Sequence, residues 1–392
     1  MRRLSHILAL TGLVIGGCAV PSRFSSVPGV PSPWPYHRGA IESRGADTTG
    51  VFSGKLTMLW QRNLRDKPVG PITLAHGKLF YPSSKRKIKV IDPQTGRIVA
   101  QIKTKGPAQA GVVTSDSLIM FGAGPIRNEI VARNMRSGNT RWTSPIKDVS
   151  NGSILYEKRL IVGSGDGFLK ALDPATGRDL WSVALDGKPV APPSVSGSLV
   201  IQPTDRGNVY AVTADSGRVV FKTKLQAPCQ SAAACGELIW IGDVGGTVYA
   251  LNPSDGKIEW EKSLDGPIWC PAAVAEGRVY VAHSGGRLFA LDAATGRDLW
   301  SFAAVDVVKS APLVVGACTI VGTLTGKVWS LRSTDGTIVD SATVTGPVNL
   351  SPVTDGKRVY IATDLGRLIC FGETDAVNAK TGDTGAVERQ SE

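Results

Sequence analysis

The chain has 392 residues, 42% of them apolar, with 45 glycines and a formal charge of +11, which leaves room for an ample core in a turn-rich protein. Its four histidines are scattered, and no H-x-x-x-H or C-x-x-C spacing is present, which excludes the common zinc sites. The positive excess is spread along the chain with no interleaved aromatic stripe, so it points to an anionic surface or an acidic partner rather than to nucleic acid.

Residues 1–18 read as an export signal. Arg2 and Arg3 form a basic start, Ile7 to Ile15 an apolar stretch shorter than a usual membrane span, and Gly16-Gly17-Cys18 a small-residue end. Ile15-Gly16-Gly17-Cys18 also resembles a bacterial lipobox, which implies lipidation at Cys18; the alternative is an ordinary signal peptide with a chance cysteine. Ala19-Val20 follows with no aspartate at the second position, which in enterobacteria implies sorting to the outer membrane. Residues 19–56 are rich in Pro, Ser and Gly and are expected to form a tether. Within them, WPYHRG at Trp34 to Gly39 is expected to pack on the surface of the folded domain.

From residue 57 to 371 the chain repeats itself. Gly286 to Trp300 reads GRLFALDAATGRDLW, Gly167 to Trp181 reads GFLKALDPATGRDLW, and Gly246 to Trp260 reads GTVYALNPSDGKIEW. A weaker copy, GNVYAVTADSGRVVF, runs from Gly207 to Phe221. The turn glycines Gly96, Gly138, Gly177, Gly217, Gly256, Gly296 and Gly336 are spaced by 42, 39, 40, 39, 40 and 40 residues, the signature of a repeat architecture. Each phrase is a short buried strand, a turn in which a glycine takes positive φ and an Asp bonds nearby amides, and a strand carrying a large aromatic that can fill the gap between neighbouring sheets. The aromatics are Trp60, Trp142, Trp181, Phe221, Trp260 and Trp300. Upstream of each phrase lie two further strands joined by a hairpin, such as Pro271 to Val274 and Arg278 to Val281 around Glu276-Gly277. Four strands per 40 residues without a helical pattern predict an all-β propeller. The third-strand phrase occurs eight times, so eight blades are expected, with seven as the alternative. Residues 57–62 have no blade before them and the last phrase has no outer strand after it. The N-terminal strand is therefore expected to complete the last blade and close the ring.

Along the repeat, blade one (about 70–102) has Ala100 at the aromatic position. It carries the basic run Lys85-Arg-Lys-Ile-Lys89, read as a solvated hairpin tip, with contact to anionic lipid or an acidic partner as the alternative. Blade two departs at Pro125 to Glu129, where a longer loop is expected. Blades three to six (about 151–303) are the most regular, and blade seven has Asp340 at the aromatic position. Residues 372–392 are polar and expected to form a disordered tail. With Cys18 lipidated, five cysteines remain: Cys229, Cys235, Cys270, Cys318 and Cys370. Buried thiols are the expectation, and a bridge between Cys229 and Cys270, at nearly equivalent places in adjacent blades, is the alternative. Asp92, Asp173 and Asp292 recur at one turn and read as structural. No G-x-S-x-G elbow occurs, and the glycines Gly167, Gly207, Gly246, Gly286, Gly326 and Gly366 open strands rather than a phosphate-binding helix.

The phrase G-x-[LV]-[FY]-A-L-[DN]-x-x-[TD]-G-x-x-x-W resembles the repeat of quinoprotein-type, or PQQ-like, propellers over residues 57–371. One branch, the BamB family of outer-membrane assembly lipoproteins, combines eight blades with a lipobox. That resemblance implies a monomeric, non-catalytic periplasmic scaffold without cofactor or metal, whose partners are envelope proteins, among them the barrel-inserting subunit of the assembly machinery. The family's docking loops are longer than Leu185 to Val190 and Leu264 to Ile268, so no partner-binding residues are carried over. Two alternatives stay open: an envelope propeller that binds a ligand or glycan, and a pyrroloquinoline quinone-dependent dehydrogenase. The latter branch is implied to need adjacent cysteines, a stacking tryptophan and a calcium site. Here no Cys-Cys pair occurs, and Trp269-Cys270 is read as core packing.

Overall fold

The computed structural model describes residues 44–123, 128–149 and 152–373. The export signal with Cys18, the WPYHRG segment, Pro125 and the tail from 374 onward lie outside the described residues.

Eight sheets of four strands follow one another along the chain, and no helix occurs among the described residues. In blade one the strands are Thr73–Ala75, Lys78–Ser83, Lys87–Ile91 and Ile98–Lys103, each antiparallel to the next. The first strand of each blade is innermost and the fourth outermost. The second and third strands are buried on both faces, as in blade six, where Arg278–His283 runs against Arg287–Asp292. That burial explains why those strands read as nearly continuous apolar runs, while the outer strand Asp298–Ala303 alternates between exposed and half-buried residues.

The ring closes across the two ends of the repeat. Met58–Asn63 pairs antiparallel with Arg367–Gly372, placing Gln61 opposite Ile369 and Arg62 opposite Leu368, and so supplies the outer strand of blade eight. One core cluster spans this closure, with Trp60 and Ile72 packed together with Tyr360, Ile361 and Phe371.

One boundary differs from the sequence expectation. Residues 44–56, read as part of a tether, lie on the propeller. Ala46–Asp47 pairs in parallel with the inner strand Leu313–Val315 of blade seven, making it a five-stranded sheet. Just before it, the Arg44 Nε donates to Cys235 O in the inner strand of blade five, and Arg44 O accepts from Val274 N in blade six. Just after it, the amides of Val51 and Phe52 both donate to Gly356 O of blade eight. The strap thus touches four consecutive blades, and buried Phe52 and Leu56 then join the core at the ring closure.

Candidate functional site

Most of the residues singled out by the repeat meet at the joints between blades. The turn glycines have φ between 67° and 74°. In each of four joints an indole from one blade lies flat on the turn glycine of the next. A Cβ placed on Gly177 would sit 2.5 Å from Trp142 Cε3, and one on Gly96, Gly296 or Gly336 would sit 2.6 Å from the same atom of Trp60, Trp260 or Trp300. Trp181 lies on Gly217 and Phe221 on Gly256 in the same manner. Each indole Nε1 then donates to the carbonyl three residues before the next turn glycine: Trp60 to Pro93 O, Trp142 to Pro174 O, Trp181 to Ala214 O, Trp260 to Ala293 O and Trp300 to Ser333 O, at 2.9–3.1 Å. An Asp or Asn opens five of the turns, at 92, 134, 173, 252 and 292, and its side-chain oxygen accepts from the turn amides: Asp292 Oδ1 accepts from Ala294 N, Thr295 N and Thr295 Oγ1. Trp60, Trp142 and Phe221 are buried, whereas Trp181, Trp260 and Trp300 are half-buried. Where blade seven has Asp340 in place of an aromatic, its Oδ2 accepts from Leu56 N of the strap at 2.8 Å.

The basic run of blade one is divided by its strand. Lys85 and Arg86 are exposed, but Lys89 is buried, which corrects the reading of the whole run as a solvated tip. Lys89 stands where the third strands of other blades place Tyr210, Tyr249, Phe289 and Trp329, so its side chain points between sheets. Its ammonium lies 2.7 Å from Asp66 Oδ2 and donates to Leu64 O at 2.6 Å. Ser83 Oγ donates to the same carboxylate oxygen at 2.5 Å, and Tyr81 OH donates to Asp66 O. Burial alone would raise the Asp66 pKa; the hydrogen bonds from Lys89 and Ser83 and the charges of Lys89 and Lys85 outweigh it and hold the carboxyl below its ordinary value.

Cys229, Cys235, Cys270, Cys318 and Cys370 are all buried and none forms a disulfide. Burial pushes the thiols of Cys229 and Cys370 up to about 12. Trp269, expected in the core, is 45% exposed, while the adjacent Cys270 is buried. His283 is buried in the second strand of blade six, and its Nδ1 accepts from Gly285 N. Burial lowers its pKa, and because Nδ1 accepts, the neutral tautomer that fits is the one protonated on Nε2.

Six successive blades converge on a cavity of about 200 Å³ at the entry to the inner strands. Its wall is made of small and apolar residues such as Pro71, Gly152, Ala191 and Pro192, with Gln109, Gln230 and Ser231 as the polar groups. A quinone with a bound calcium needs carboxylate and amide oxygens gathered around the ion. Among the described residues no group of three or more His, Cys, Asp or Glu is placed to hold a metal, and the cavity wall offers no carboxylate. The residues present do not fit that group, and no catalytic step follows from it.

Eight four-stranded blades, ring closure by the N-terminal strand and indole-on-glycine joints define an eight-bladed propeller of the PQQ-like class. A family model described as "Outer membrane protein assembly factor BamB" matches residues 165–241 and 232–384, more than half the chain, and the chain belongs to that family. The outer membrane protein assembly factor BamB of Nitrosomonas eutropha is 28% identical over 216 residues, covering 53% of this chain and 43% of that protein. The chain thus spans under half the length of that relative. Among solved structures, BamB from Moraxella catarrhalis superposes with a TM-score of 0.72 at 17% identity, over 81% of this chain and 100% of the other. The quinohemoprotein alcohol dehydrogenase of Comamonas testosteroni reaches 0.73 at 13% identity, over 91% and 84%. Likenesses this low in identity establish the fold, which enzymes and non-enzymes share.

Proposed function

We propose that the chain is a non-catalytic scaffold of the bacterial envelope, lipid-anchored at Cys18, that contributes to the assembly of outer-membrane β-barrel proteins. The observation that carries this reading is membership of the BamB family over more than half the chain. It is supported by a propeller centre walled with small, uncharged side chains. In this reading the 57–371 repeat, extended to Arg44 by the strap, is a rigid body that presents loops at two ends. Envelope proteins are the partners, with the barrel-inserting subunit the first to test.

The experiment is gentle crosslinking in native envelopes, capture through a C-terminal tag and mass spectrometry. Dominant recovery of the barrel-inserting subunit is the expected result. Recovery of other envelope proteins, or of none, would overturn the assembly role. Metabolic labelling with a radioactive fatty acid should tag the protein and not its Cys18→Ser variant; an unlabelled wild-type protein would overturn the lipid anchor. A second reading, a ligand-binding propeller, is favoured by the cavity with Gln109, Gln230 and Ser231. Saturable binding of a glycan or quinone, lost in Gln230→Ala, would select it.

A further inference from the structure

The loops that enter each blade and the turns between its second and third strands share one end of the ring. In blade one the two are tied by Val69 N to Pro82 O and Ser84 N to Lys67 O, and Thr104 N to Arg86 O brings in the end of the outer strand. These bonds gather Arg65, Lys67, Lys85, Arg86, Lys87 and Lys103 on one corner, all exposed except the half-exposed Lys87. The carboxylate among them, Asp66, is buried and bound by Lys89 and Ser83, with the exposed Lys85 3.5 Å from its other oxygen. Lys87 and Lys103 are direct cross-strand partners, a like-charge pairing that costs stability.

The backbone makes a second sacrifice for this charge. Blades three to eight place a glycine with φ of 71–92° immediately before the third strand, at Gly167, Gly207, Gly246, Gly286, Gly326 and Gly366. Blade one has Arg86 in that slot, with φ 55°, and Arg65 in the entering loop has φ 60°. An arginine in the left-handed region is held there against its preference. Packing does not call for it, because the side chain is exposed.

Apolar tips stand beside the cations on the same end. Leu64 N donates to Gly366 O, which places the adjoining Leu365, 59% exposed, next to Arg65. Further round the ring, Val305 is 90% exposed at φ 58° and Trp269 is 45% exposed, both in entering loops. Cations on long side chains at one corner, with large apolar tips elsewhere on the same end of the ring, suit a bilayer surface, which offers phosphate headgroups at one depth and hydrocarbon just below.

The geometry points to this end of the propeller, centred on blade one, as a docking face for a membrane rich in anionic phospholipid. This inference is independent of the assembly role and of the acyl anchor. The test uses residues 19–392, so that neither the export signal nor an acyl group contributes, in co-flotation with phosphatidylcholine vesicles made with and without phosphatidylglycerol. Binding is expected with phosphatidylglycerol and not without it, and added salt should weaken it. Lys67→Gln, Arg86→Gly and Lys103→Gln should each lower partitioning about fivefold, as for one cation lost near an anionic surface. Leu365→Ser should lower the binding that survives salt. Arg86→Gly keeps the test clear of misfolding, because glycine is the residue of this slot in six blades and the melting temperature should hold or rise. Equal binding to both vesicle types, or indifference to the three cation substitutions, would overturn the proposal. Salt-sensitive retention on immobilised polyglutamate with no vesicle binding would also overturn it, and would assign the corner to an acidic protein.

Discussion

An indole lying on a glycine joins two blades through packing and one hydrogen bond together. Trp142 is buried, rests on Gly177 and donates to Pro174 O. Trp142→Ala should destabilise by about 3–5 kcal/mol, as for other large buried aromatics. Urea unfolding would measure it, and a loss below about 1 kcal/mol would show that the joint does not depend on the ring. Trp300 is half-buried, so the same change there should cost less. Gly177→Ala should fail from the other side: its φ is 74°, and the new methyl would meet the Trp142 ring. Buried charge obeys a different rule. Asp66→Ala leaves Lys89 uncompensated in the interior and should cost about 3–5 kcal/mol, while Asp66→Ala with Lys89→Met should recover most of it. Because the Asp66 carboxyl is held below 3.8, the stability it brings is complete above that value and is lost as pH falls through the lowered value. Wild type should therefore lose the Asp66 contribution only as pH falls below 3.8, and the double variant, which lacks it, should show a shallower loss of stability with acid over that range. The turns and indoles were legible in the sequence because glycine and tryptophan recur at fixed spacing. Lys89 was not, because a lysine in a basic run reads as solvated unless it is aligned with Tyr210 and Tyr249 in other blades.

At the scale of elements, the strap 44–56 is the part that sequence did not disclose. Its main attachments are backbone hydrogen bonds, Val314 N to Gly45 O and Val51 N to Gly356 O among them, and such bonds leave no side-chain pattern. Its composition, rich in Gly, Ser and Thr, is that of a linker. The one side-chain clue was Asp340, the residue that breaks the aromatic series, and the structure shows it receiving the strap at Leu56 N. Asp340→Ala would leave that part-buried amide without its acceptor and should cost about 1–3 kcal/mol. Hydrogen exchange would locate the effect: faster exchange at Leu56 and along 50–56 is expected, with blades three to six unchanged. Unchanged protection of the strap would show that Phe52 and Leu56 hold it without the carboxylate.

For the whole molecule, eight blades were readable from the count of third-strand phrases, and closure from the unmatched strand at either end. The candidate site was readable only in part. Motif spacing gave no catalytic set, and the cation corner needed the fold, since Arg65, Lys87 and Lys103 are far apart in the chain and meet only through strand pairing and loop bonds. The thiols offer a global test of packing. All five are buried, so a thiol reagent should label them only as the ring opens. Labelling that rises together at Cys229, Cys318 and Cys370 in denaturant would indicate one cooperative unit, and early labelling at Cys370 alone would place the weak point at the closure.

The pairing of Met58–Asn63 with Arg367–Gly372 also sets an order of events in time. A chain made from its N-terminus delivers its first long strand some 300 residues before the partner that completes it. Until then that strand is an open edge able to pair with other extended chains. Folding of the ring must therefore wait for the last blade to emerge, and whatever shields Met58–Asn63 in the interval decides whether the chain closes on itself or on a neighbour.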